Sequence, residues 1–346
     1  MRERSREILD VKKRSSQSHN YISFRINFLI RRWEETKQSG GCDTDYFYGE
    51  TDFYIIRAVT CLEVFTRGQI AELIDHAKQY TDKAVDLSRN FKMDFALVRD
   101  VQGRAITLGD IVAHSVPVNY FGQIITYFEI LLGKPLRPLL SNAIDRWQVE
   151  VMKQPSKPII ADMDALTRCL TRLFEIRHIL CHEIPSSHTY AINEISEFLD
   201  CALKFADALE EVLQFEKFGL TPLTQTEMNV SSHERLLSTE EKLTRLLLEI
   251  TDKLDATDRI RVPVPLTGPQ ETWAQCLSDA HNKWLAYRNA HCEFMAYSSR
   301  HGTIWPLLWA TEATNLTQRR IEDLESWKEQ QSERFGIFQT SENGSE

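Results

Sequence analysis

Apolar positions recur every three or four residues along most of this chain, which is the periodicity of amphipathic helices. A long helix opens near Phe53 and runs to about Tyr80, with Ile55, Leu62, Phe65, Ile70 and Leu73 as its stripe. Leu108-Gly-Asp-Ile begins another, with Thr107 or Asp110 as its cap. Tyr120–Leu132 is strongly apolar and closes at Gly133, a residue suited to the left-handed C-terminal position. Met163–His182 follows, stopped by Pro185. Ile192–Phe218 places Ile195, Leu199, Leu203, Ala206, Leu209 and Leu213 on one face. No stretch alternates as a strand would. The pattern predicts an all-α chain with four main helices around one core.

Before and after this block the pattern changes. Residues 1–41 carry ten Lys or Arg against five acids and end at Ser39-Gly40-Gly41. They read as a basic N-terminal segment with one amphipathic helix around Tyr21–Lys37, serving as a solubilising tail with a docking helix or as a nucleic-acid-contacting arm. Residues 219–231 are rich in Thr and Ser and read as a linker. Leu236, Leu243, Leu247, Ile250 and Leu254 then open a second helical unit over 232–334, with Ser238 or Thr239 and Glu240 or Glu241 as a capping arrangement. A loop holding Pro263, Pro265, Gly268 and Pro269 leads to a helix over about 271–298. A turn at His301-Gly302 leads to a last helix over about 305–334. Residues 335–346 read as a disordered tail.

Composition narrows the classes. Gly at 13 and Pro at 11 in 346 residues leave little material for tight turns, which favours long helices. With 41 basic and 50 acidic residues the net charge is −9, against a simple electrostatic nucleic-acid binder. The acidity is uneven: residues 186–260 hold fifteen acids and seven bases. No apolar run is long enough to cross a membrane, and the charged start has no secretory pattern. Seven scattered cysteines without a C-x-x-C pair predict free thiols in a reducing cytoplasm and no metal site. No cofactor is expected: no glycine-rich phosphate loop is present, and His291 and His301 stand alone.

One segment carries chemistry. Arg177 and His182 are spaced R-x4-H at the end of an apolar helix, with His178 directly after the arginine. His178 and His182 share a helix face, and the long arginine stem reaches the same side. An arginine can stabilise charge on a phosphate while imidazoles move protons near neutral pH.

Residues 46–218 resemble the HEPN superfamily, four-helix bundles whose third main helix ends in R-x4–6-H; Arg177, His178 and His182 match that motif. The resemblance implies an endoribonuclease that needs no metal and leaves a 2′,3′-cyclic phosphate and a 5′-hydroxyl. In it Arg177 would stabilise the phosphorane, His182 would transfer protons and His178 would position the phosphate. A homodimer would supply a second histidine, and the setting would be a bacterial defence or toxin system. Ile184 stands where HEPN toxins modified by a partner enzyme usually carry tyrosine, which puts that form of control in doubt. Catalytically silent HEPN domains that bind RNA or act as adaptors are the alternative.

The C-terminal unit is similar to the LprI-like domains of periplasmic lysozyme inhibitors. Gln275, Trp284, Tyr287-Arg288-Asn289 and Cys292 carry that resemblance, continued by Gly302-Thr-Ile-Trp-Pro306 and by Leu316-Thr317, Arg320 and Leu324. The family's second cysteine, which pairs with the one matching Cys292, is replaced here by Glu312. A module without that disulfide fits a cytoplasmic chain. The resemblance implies that residues 232–334 bind a regulatory protein or trigger, or act as a partner-binding inhibitor. Trp273, Trp284, Tyr287, Trp305 and Trp309 are expected in its core, and Arg288 in a buried ion pair.

Overall fold

The computed structural model describes residues 2–15, 22–38, 45–87, 106–183, 189–260 and 272–335, with positions 99 and 338. Among these residues the chain is all-α and holds no strand. It divides into two units, residues 1–221 and 222–346.

The first unit contains α1 (Arg2–Ser15), α2 (Ile22–Gln38), α3 (Asp45–His76), α4 (Lys78–Lys83), α5 (Leu108–Ser115), α6 (Phe121–Leu132), α7 (Leu136–Asn142), α8 (Met163–His182) and α9 (Glu194–Phe218). Local chemistry fixes several ends. Thr107 caps α5 in a reciprocal box with Asp110, so the threonine is the cap and the aspartate its partner. Gly133 ends α6 with φ of 71°, and a side chain there would also press on the Lys83 ammonium. The Asp162 carboxylate accepts from the backbone N–H of Asp164 and Ala165 and starts α8. The helix expected to run to Tyr80 is interrupted at Ala77, whose extended backbone separates α3 from α4.

The four expected main helices correspond to α3, α6, α8 and α9, and their apolar stripes meet in one core. Phe65, Phe121, Phe128, Phe174 and Phe205 are fully buried there. A fifth helix joins them. Ile22, Ile26, Leu29 and Trp33 of α2 are buried in the same core, and the Trp33 indole donates to Ser196 Oγ at 2.8 Å. The N-terminal segment therefore contributes a structural helix rather than a separate arm. Ser39-Gly40-Gly41 and most of the charged stretch after Leu87 lie outside the described residues.

The second unit is built from α10 (Gln225–Ile260), α11 (Trp273–Ala296) and α12 (Trp305–Phe335). Leu243, Ile250 and Leu254 of α10 pack with Ala274 of α11 and with Ile321 and Leu324 of α12. A second layer joins Leu236, Cys292, Ala310 and Ala313. Here the structure corrects the expected boundaries. Only residues 219–224 are non-helical, and α10 begins at Gln225, inside the segment read as a linker. Ser238 and Thr239 are internal to α10 and cap nothing. The expected helices over 271–298 and 305–334 are found as α11 and α12, with a turn at His301 (φ 69°). The proline-rich loop over 261–271 and residues 339–346 fall outside the described residues.

Candidate functional site

Helix α8 buries Leu166, Leu170, Leu173 and Phe174, which fixes its rotation and turns its last residues toward solvent. Arg177, His178 and His182 occupy that end, as their spacing predicts. The two imidazoles are exposed and their ring centroids lie 4.8 Å apart. The backbone there presents carbonyl ends, which favour cationic side chains. Pro185 and Ile184 lie outside the described residues.

Arg177 is held from a distant part of the chain. Its guanidinium pairs with Glu63 of α3 at 3.0 Å, and both side chains are largely covered. Burial pushes the Glu63 carboxyl above the usual carboxylate range, while the charges of Arg177 and then Arg67 pull it back down. Arg67 lies one turn beyond Glu63 on α3, and the Nε atoms of Arg67 and Arg177 are both buried without a hydrogen-bond partner. Tyr127 of α6 stands within reach of the Arg67 charge and donates to the Pro117 carbonyl at 2.6 Å. Glu63 and Arg67 did not emerge as site residues from the sequence. Their only local sign is the i, i+4 spacing of opposite charges, which many exposed helices share.

The end of α8 thus presents two solvent-facing imidazoles, and Arg177 on the same last turns is held by Glu63 of α3. Such a set can accept and donate protons beside an oxyanion. One chain supplies two histidines, so an acid and a base need not come from different subunits. Among the described residues no group of histidine, cysteine and carboxylate side chains is arranged to hold a metal ion.

In the second unit Arg288 is buried, pairs with Glu240 of α10 at 2.7 Å and donates to Thr317 of α12 at 3.1 Å. This is the expected buried ion pair. Cys292 is a buried free thiol, pushed up to about 11 by burial first, with Glu312 among the charges around it. Glu312 itself pairs with His291 at 3.4 Å. The aromatic residues differ from expectation. Trp273, Trp284, Trp305 and Trp309 are half-buried, and Tyr287 is 56% exposed. Cys181 and Cys276 are likewise exposed rather than buried.

Residues 221–324 match the family model described as Lysozyme inhibitor LprI. The match starts at the junction of the two units, ahead of residue 232, and takes in all of α10. No curated protein and no solved structure matches the chain. No helix among the described residues is long and apolar enough to cross a membrane.

Proposed function

We propose that the first unit is a HEPN-type endoribonuclease and that the LprI-like unit is its sensing or docking domain. The observation that carries this reading is the α8 terminus, where Arg177 sits beside the exposed His178 and His182 with rings 4.8 Å apart. RNA provides its own nucleophile, the 2′-hydroxyl, next to the phosphate to be cleaved. One imidazole takes the hydroxyl proton as the oxygen attacks phosphorus. The other gives a proton to the departing 5′-oxygen. Arg177 would stabilise the charge on the non-bridging oxygens. The products are a 2′,3′-cyclic phosphate and a 5′-hydroxyl, and no metal is needed. A homodimer would bring two such clusters together, and RNA release or partner binding would then be set by the second unit. A cytoplasmic location and a role in bacterial defence belong to the same proposal.

The test uses the full chain, mixed-sequence single-stranded RNA and a chelator. Wild type is expected to cleave and to leave cyclic phosphate ends, and R177A and H182A to lose about 100-fold or more in rate. H178A separates a positioning role from a proton-transfer role by its pH profile. Equal cleavage by wild type and H182A, or intact RNA and unimpaired growth on expressing wild type, overturns the reading.

A second reading rests on the family match and on an exposed aromatic face. Tyr287, Phe294 and Tyr297 of the α11 segment are each more than half exposed, and aromatic residues of this kind anchor protein interfaces. In this reading the chain is a non-catalytic adaptor or a protein-binding inhibitor. Tight binding of lysozyme or another protein, lost in Y287A/F294A, together with inert RNA, would favour it.

A further inference from the structure

The second unit contains a cavity of about 390 Å³ at the end where α10, α11 and α12 meet. Trp273 and Trp327, packed edge to face at 5.7 Å, form its aromatic wall, and Leu254 and Leu324 line it further. Its volume is at the lower end of the ~300–1,000 Å³ range of ligand pockets, so an occupant must be small.

Two charged residues of α12, Arg320 and Asp323, also line the cavity. Arg320 differs from Arg288. Both guanidiniums lie over the Trp284 ring, at 5.9 and 5.5 Å. Arg288 is neutralised by Glu240. Arg320 has no carboxylate within ion-pair distance among the described residues, and its Nε is buried without a hydrogen-bond partner. Burial first, then the charges of Arg320 and Arg288, hold the neighbouring His281 imidazole below its ordinary range. His281 also stacks on Trp284, with centroids 5.6 Å apart. Arg320 therefore lies over an aromatic ring, lines the cavity and has no carboxylate partner of its own among the described residues.

We propose that this cavity binds a small aromatic carboxylate, with its carboxylate on Arg320 and its ring against Trp273 and Trp327. The apolar walls take the flat body and the unpaired guanidinium takes the charge. Asp323 disfavours a second negative charge, so monoanions bind and dianions do not. This assignment is independent of the ribonuclease proposal, because every residue it uses belongs to the second unit.

Indole-3-acetate serves as the probe, titrated calorimetrically into the full chain. Saturable one-to-one binding is expected. Indole-3-acetamide and tryptamine should bind about tenfold or more weakly, as the loss of one charge-assisted hydrogen bond implies. R320Q should weaken indole-3-acetate by the same factor, R320K less, and D323N should leave it equal or tighter. Circular dichroism checks the fold of each variant. A second readout needs no substitution. Cys276 is exposed and lines the cavity, so its mapped alkylation should slow with probe bound, while Cys181 in the first unit reacts unchanged. Unaltered affinity in a folded R320Q overturns the proposal. So does tryptamine binding as tightly as indole-3-acetate, or no saturable binding together with no protection of Cys276.

Discussion

The pair between Glu63 and Arg177 joins α3 to α8 and should be measurable as a coupling energy. Breaking a fully buried pair costs about 3–5 kcal/mol, whereas an exposed pair is worth about 0–1 kcal/mol. Here the Arg177 and Glu63 side chains are 23% and 15% exposed. Solvent screening at that exposure places the coupling at roughly 1–2 kcal/mol. The perturbation is a double-mutant cycle of E63Q, R177M and the pair. Five of the seven tryptophans lie in the second unit, so fluorescence would report the wrong region. Denaturant titrations read by hydrogen exchange in α3 and α8 peptides follow the right one.

The pH dependence sharpens this test. Glu63 has a folded-state value raised above that of the unfolded chain. As pH rises from the ordinary carboxylate range to that raised value, the unfolded state gives up its proton first. The folded state then holds more protons, so this group's contribution to stability falls with rising pH across that window. E63Q removes the window. The coupling to Arg177 behaves oppositely: it needs ionised Glu63, so it is full well above the raised value and fades as pH drops below it. A coupling under about 0.3 kcal/mol at a pH above the raised value, or one that grows on acidification, would refute the argument.

Three further outcomes follow from local geometry. A methyl group at Gly109 would lie 2.2 Å from the Ala71 carbonyl oxygen on α3, so G109A should destabilise the first unit by about 1–3 kcal/mol, read from a denaturation midpoint. Trp33→Ala should cost about 3–5 kcal/mol, because that side chain is 1% exposed and hydrogen-bonded to Ser196; a value under about 1 kcal/mol would show that α2 does not belong to the core. Thiol alkylation mapped by mass spectrometry should modify Cys201 before Cys169 and Cys292. A hydrogen bond from Cys169 pulls the Cys201 thiol down and pushes Cys169 up, and burial raises Cys292 to about 11.

The all-α class and the helix cores were legible because few glycines and prolines interrupt stripes at three- and four-residue spacing. Boundaries were legible only where the right cap was recognised. Thr224-Gln-Thr-Glu227 is itself a capping box: Glu227 N–H donates to Thr224 Oγ1 at 3.2 Å and its carboxylate accepts from Thr224 N–H at 3.1 Å. Read as polar linker, it hid the start of α10. Thr239, which mimics a cap in sequence, instead donates back to the Arg235 carbonyl one turn earlier, as internal threonines do. The site divides the same way. Arg177, His178 and His182 are local to one helix and were visible. Glu63 lies 114 residues away, and no spacing rule connects it to Arg177.

The second unit shows why aromatic content misleads in a thin fold. Three helices enclose too little volume to cover five large rings, since small units bury a smaller share of their surface. The tryptophans are therefore half-covered, and some of their surface serves other side chains: Trp284 carries two guanidiniums and an imidazole. The same economy applies to the position where LprI-like domains are expected to hold a disulfide. Here Cys292 remains a free thiol, and Glu312 of α12 pairs with His291 of α11. One turn earlier Arg288 ties α11 to Glu240 of α10 and to Thr317 of α12. A disulfide would contribute about 2–4 kcal/mol by restricting the unfolded chain. The Arg288–Glu240 ion pair acts on the folded state instead and exchanges with solvent and salt. In this chain the joint between the three helices is therefore reversible, and the cavity at Arg320 opens from the same α11–α12 pair that this joint holds together.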